Sequence, residues 1–98
     1  MPAYVIGRIQ ITDPQRYSEY MKVTPGIIAQ FGGRFLVRGG ESVTLEGPEQ
    51  NERVVIIEFP AFTAAKDFFH SEQYRAAKVL RDGAAIAHFI AIDGVVPT

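Results

Sequence analysis

Four side chains able to grip an anion or move a proton fall on segments that read as strands: Arg8, Arg38, Glu58 and His88. Guanidinium groups hold carboxylate or enolate oxygens through paired hydrogen bonds. A glutamate or histidine partly withdrawn from water beside them is suited to general acid–base work. The segment GGRFLVRGG, Gly32–Gly40, adds Arg34 to the same short strand as Arg38, and a strand period of two points both to one side. Tyr4 falls on the side of Arg8. Glu58 and His88 are therefore the catalytic candidates, and Arg8, Arg34, Arg38 and Tyr4 the ligand-binding ones. A structural role competes with this reading. Arg8 and Glu58 are expected on neighbouring central strands of one face, where an ion pair would fix sheet register.

Other chemistry-bearing residues have simpler explanations. His70 and His88 each lack the nearby ligands that a zinc site needs, so no metal is expected, and no cofactor motif is present. Ser71 ahead of Tyr74 suits a helix cap better than a nucleophile. Tyr17 and Tyr20 read as helix-packing aromatics. The pairs Gly32-Gly33 and Gly39-Gly40 lack the lysine and the strand-to-helix setting of a phosphate loop.

These residues are positioned by an alternation of strands and helices. Ala3–Ile11 (AYVIGRIQI) reads as a strand, and Asp13-Pro14 opens a helix as N-cap and first helical residue. Tyr17, Tyr20, Met21, Thr24, Ile27, Ile28 and Phe31 form its buried stripe, with a kink or restart expected at Pro25-Gly26. Arg34–Arg38 is the second strand, continued by Ser42–Glu46 after the Gly39-Gly40 break, and Gly47–Glu52 turns into the strand Arg53–Phe59. Thr63 and Ser71 are expected to cap successive helical segments reaching about Leu80, and Ala85–Asp93 is the last strand.

The order β-α-β-β-α-β predicts an α+β, ferredoxin-like two-layer sandwich, residues 1–98 forming one domain. Right-handed crossovers place both helices on one face of a four-stranded antiparallel sheet, with the first and third strands central and expected to be parallel. Val5, Ile9, Ile11, Phe35, Val37, Val55, Ile57, Phe59, Phe89 and Ala91 should face the helices. The opposite face mixes Ile6, Leu36, Ile56, Ile90 and Ile92 with Arg8, Arg34, Arg38, Glu58 and His88. Its apolar half needs a cover, and a second copy of the sheet is the simplest one. The expected assembly is a homodimer with a barrel-like interior in which the polar residues sit.

Bulk composition narrows the function classes. Ten basic and eleven acidic residues give a net charge of −1 without a basic run, which argues against nucleic acid. The chain contains no cysteine, so disulfides and thiolate catalysis are excluded. The opening MPAYVIGRIQ has no basic segment followed by an apolar core, and no apolar run approaches a membrane span. A cytoplasmic protein that does not engage membranes is expected.

The ordered set Tyr4, Asp13-Pro14, Tyr17, Tyr20, GGRFLVRGG, LEG, VIIEFP, SEQY and Arg81 resembles the bacterial "domain of unknown function 1330" family over about Tyr4 to Gly94. The resemblance implies a small dimeric α/β-barrel protein, related in architecture to cofactor-free monooxygenases, without an established activity. Two functions are compatible with the residues. One is a cofactor-independent small-molecule enzyme or binder with an anionic ligand, performing proton transfer or oxygenation on a small carbonyl or phenolic compound. The other is a non-catalytic dimeric module whose polar residues specify assembly.

Overall fold

A computed structural model describes residues 1–95. Strand β1 (Ala3–Ile11) leads into α1 (Pro14–Gln30), followed by β2 (Arg34–Arg38), β3 (Arg53–Phe59), α2 (Phe62–His70), α3 (Glu72–Val79) and β4 (Ala85–Asp93). The sheet order is β2-β3-β1-β4, the ferredoxin-like arrangement. β1 and β3 are central as expected, but they are antiparallel rather than parallel. Each helical crossover returns the chain parallel to its starting strand but two places away, with one strand between. The strand filling the gap must then run the other way, so every neighbouring pair is antiparallel.

Local chemistry explains where the elements begin. The Asp13 side chain accepts from the Arg16 backbone N–H at 3.2 Å, with Pro14 in the first turn of α1. Ser71 caps α3 by accepting from the Tyr74 N–H at 3.1 Å, and its hydroxyl donates to the Phe68 carbonyl at 2.7 Å. Its hydroxyl is thus committed to the helix start. Thr63 does not cap α2. The cap position is Ala61, with no side-chain bond, and Thr63 lies within the first turn.

Two expectations about chain path are corrected. α1 runs unbroken through Pro25, because the surrounding turns and its buried stripe of Tyr17, Tyr20, Thr24 and Ile28 hold it. Ser42–Glu46 does not extend β2. The ladder ends with Gly39 N–H donating to the Val54 carbonyl at 2.9 Å, and β3 has no earlier residues for Ser42 to meet. The segment closes on itself instead, with Gln50 N–H donating to Thr44 Oγ1 at 2.8 Å.

The core lies between sheet and helices. Val5, Ile9, Val55, Ile57 and Phe59 bury against Tyr17, Tyr20, Ile28, Ala65, Phe68, Tyr74 and Ala77, with Ile11, Phe35 and Phe89 packed at the margin. Fully burying an aliphatic or aromatic side chain stabilises by about 1.5–3 kcal/mol, and this layer holds the fold together. The far face carries Leu36, Ile86, Ile90 and Ile92, all exposed.

Candidate active site

Strand register decides which of the anticipated residues meet. On the open face, Arg34, Glu58, Tyr4 and Ile92 lie in one row across the four strands. The next row is Val37, Ile56, Ile6 and Ile90, and beyond it Val54, Arg8 and His88. Glu58 therefore pairs with Arg34, Nε to Oε1 at 2.9 Å, and not with Arg8. Arg8 is displaced by four residues, roughly 13 Å along the strand at ~3.3 Å per residue. It stands opposite His88 and at the rim of an open groove that also takes in Glu49 and Glu52. An isoleucine row thus separates Arg34, Glu58 and Tyr4 from Arg8 and His88. The Arg34 side chain is 71% exposed, so its pair with Glu58 belongs with the weak surface ion pairs.

Arg38 is not on this face. Phe35 pairs with Ile57 but Val37 pairs with Ile56, so Leu36 is an extra, bulged residue. Because side chains alternate with a period of two, one extra residue moves everything after it to the other face. Val37 turns outward and Arg38 falls opposite Val55 on the helix side. There its guanidinium lies 4.5 Å from the centre of the Phe35 ring, and Nη2 donates to the Met21 carbonyl at 2.8 Å. That carbonyl is the one to which Pro25 brings no N–H.

Two further arginines reach the same layer. Arg53, the first residue of β3, pairs with Ile9 and so faces the helices. Its guanidinium rests on Gly39, which has φ +72°, and a Cβ at that position would collide with Nη1. Arg53 Nη2 donates to the Arg38 carbonyl at 3.4 Å. Arg81, in the turn after α3, stacks 5.3 Å from the Tyr20 ring and 5.6 Å from Phe89. Gly7 makes room for Phe89, whose ring a Cβ there would strike. The Nε atoms of Arg53 and Arg81 are buried without a hydrogen-bond partner.

The tyrosines complete the arrangement. Tyr20 on α1 and Tyr74 on α3 share a hydrogen bond between hydroxyls at 2.6 Å. Tyr17 packs 5.2 Å from Tyr20, and Tyr74 sits among Phe68 and Phe69 at 4.6 and 4.9 Å. Tyr17, Tyr20, Tyr74, Thr24, Arg38 and Arg53 line a cavity of about 30 Å³ that has no carboxylate in its wall. Burial pushes the Tyr20 phenol well above its usual range, and Tyr74 adds to the rise. Burial likewise raises Tyr17, against the opposing charges of Arg53, Arg81 and Arg38. The site therefore presents protonated phenols and unneutralised guanidiniums, a set built to donate hydrogen bonds.

Alternation counted back from Val55 already puts Arg53 on the core side, and Pro25 marks a helix carbonyl in need of a donor. Those were the available signals for this cluster. Nothing in the sequence announces the contact of Tyr20 with Tyr74, 54 positions apart. Among the described residues, no three His, Asp or Glu side chains gather as a metal-ligand group. No helix among them is long and apolar enough to cross a membrane.

The profile of the family described as "Domain of unknown function (DUF1330)" matches residues 2–95. Among solved structures, the chain is similar to a protein of unknown function from Rhodopseudomonas palustris, with a TM-score of 0.74 and 21% identity, covering 98% of this chain and 84% of that one. It is also similar to SnoaB, a cofactor-independent oxygenase from Streptomyces nogalater, with a TM-score of 0.67 and 11% identity over 98% of this chain and 95% of that one. A protein from Arabidopsis thaliana aligns with a TM-score of 0.65 and 10% identity over 99% and 91% of the two chains. At these identities the likeness speaks to the fold alone. Functionally curated proteins give no match.

Proposed function

The chain belongs to the DUF1330 family, and from that premise we propose that it is a cofactor-independent small-molecule enzyme or binder whose site is the tyrosine- and arginine-lined cavity between helices and sheet. The observation that carries this reading is the polar group of residues in a mostly apolar cavity wall. Three tyrosines, a threonine and two arginines share with nine apolar residues the wall of a void in the core layer. A core needs no such groups for stability, since buried polar networks at best match well-packed apolar ones. The reaction classes that suit the wall are proton transfer and oxygenation by dioxygen of a small carbonyl or phenolic compound, and the fold shared with SnoaB is compatible with the second. The void as it stands has room for one or two waters. A ligand enters by displacing Arg38, the exposed member of the wall.

A thermal-shift screen of small carbonyl, phenolic and carboxylate compounds tests the proposal. Hits are expected on the wild type and are expected to weaken in Tyr74→Phe, which keeps the ring and removes the hydroxyl. A screen without a single hit, or hits indifferent to every cavity substitution, overturns the reading.

The open sheet face supports a second assignment, to assembly. Ile90, Ile92 and Leu36 are 45%, 48% and 46% exposed on one face of one chain, apolar surface that nothing within the chain covers. A homodimer through this face is proposed, in which Arg34 with Glu58 and Tyr4, and Arg8 with His88, flank the apolar centre and set register between the copies. If the cavity screen is silent, this non-catalytic role is the function that remains.

A further inference from the structure

Arg38, Arg53 and Arg81 have no carboxylate within ion-pair distance among the described residues, where the only ion pairs are Lys22 with Glu19 and Arg34 with Glu58. Two of the three hold a buried Nε with nothing to donate to. A buried, unmet donor on a cation is costly, and one held in the cavity wall, the Nε of Arg53, is explained by an acceptor that arrives from outside. Two backbone features serve this arrangement. The bare Cα of Gly39 seats the Arg53 guanidinium, and the Met21 carbonyl left free by Pro25 anchors Arg38. Taken with the small-molecule reading above, on which it rests, we infer that this cavity takes a planar anionic oxygen group, the carboxylate or enolate of a small organic acid. Arg53 and Arg38 grip its oxygens from the sheet side, and Arg81, stacked on Tyr20 outside the lining, adds only to the positive field.

The surroundings select the class of anion. Burial holds the Tyr17 and Tyr20 phenols in their neutral form, so they meet an oxygen anion as hydroxyl groups rather than as rival charges, and the Tyr20–Tyr74 bond uses one of that pair's two protons. A cavity of about 30 Å³ beside the exposed Arg38 leaves a planar head group inside with its body directed outward past Arg38. The fork geometry of guanidinium matches a carboxylate with two parallel hydrogen bonds.

The experiment compares benzoate, its neutral isostere benzamide, and inorganic phosphate by calorimetry and by chemical-shift mapping. The proteins are the wild type, Arg53→Gln, Arg53→Lys and Arg8→Gln, each checked for folding by circular dichroism. Benzoate is expected to bind the wild type and Arg8→Gln alike, to bind Arg53→Gln at least tenfold more weakly, and to perturb the Tyr17, Tyr20 and Tyr74 resonances. Benzamide and phosphate are expected to bind far more weakly than benzoate. If Arg53→Gln fails to fold, Arg53→Lys carries the test, since loss of the fork alone should weaken benzoate binding. Benzamide binding as tightly as benzoate, at the tyrosines, overturns the anion assignment and leaves the small-molecule reading standing. Benzoate binding that is lost in Arg8→Gln and kept in Arg53→Gln moves the anion to the open face and overturns the site. Absence of binding by either aromatic compound overturns the inference, and the wider screen above then decides the parent reading.

Discussion

The Arg38 guanidinium donates to the Met21 carbonyl at 2.8 Å, the carbonyl that Pro25 leaves without its helical partner. A proline inside a helix removes one hydrogen bond, and here the lost donor is replaced from a neighbouring strand. A sheet residue and a helix defect are thereby joined at the wall of the cavity.

This relationship predicts non-additivity. Arg38→Ala should cost about 1 kcal/mol more in the wild type than in the Pro25→Ala background, where the restored N–H can serve the carbonyl. Urea unfolding of the two single variants and the double variant measures the coupling. Strictly additive losses would show that the bond contributes nothing.

Gly39 and Gly40 should behave differently although they are adjacent. Gly39→Ala strains a positive φ and drives a Cβ into the Arg53 guanidinium, so a loss of at least about 1 kcal/mol is expected, together with displacement of Arg53. A Cβ at Gly40 meets nothing, and Gly40→Ala should stay within about 0.5 kcal/mol of the wild type. Chemical denaturation of both variants is the check, and equal losses would contradict the Gly39 seat.

Alkaline pH should destabilise the fold through the buried phenols. Tyr20 and Tyr17 titrate above the unfolded value of 10.0 because burial favours their neutral forms. Above that pH the folded chain retains protons the unfolded chain has lost, so the contribution is complete below about pH 10 and declines as pH rises further. Ultraviolet titration should show these tyrosines ionising only as the protein unfolds, and Tyr20→Phe should flatten the decline. Ionisation of all four tyrosines near pH 10 in the folded protein would refute this.

The open face predicts a separation of folding from assembly. Ile90→Asp changes a side chain 45% exposed in the single chain, so the fold should survive while a dimer built on this face dissociates. Glu58→Gln removes only the pair with exposed Arg34, worth about 0–1 kcal/mol in a single chain. Light scattering and thermal melts decide both. A wild-type protein that is a folded monomer at micromolar concentration would remove the dimer, and a much larger loss in Glu58→Gln would mean that a partner covers the pair.

Much of the architecture was legible from local signals, because those signals act within a few residues. Asp13-Pro14 and Ser71 start helices by capping their own first turns, and the apolar alternation of Arg53–Phe59 marks a strand wherever it pairs. The helix-facing set was right at Val5, Ile9, Val55, Ile57 and Phe59 for the same reason. What lay beyond the sequence was set by pairing between distant segments. Alternation along Arg34–Arg38 places both arginines on one face, yet the bulge at Leu36, created only by register against β3, sends Arg38 to the other. Arg8 and Glu58 share a face but stand in different rows, a matter of register that neither strand encodes alone. Tyr20 reads as a packing residue of its helix and Tyr74 only as the residue three beyond the Ser71 cap, and only the way α1 and α3 lie across the sheet brings their hydroxyls to 2.6 Å. The fold class follows from periodicity, which is local, whereas the candidate site follows from register and helix placement, which exist only once the chain has closed on itself.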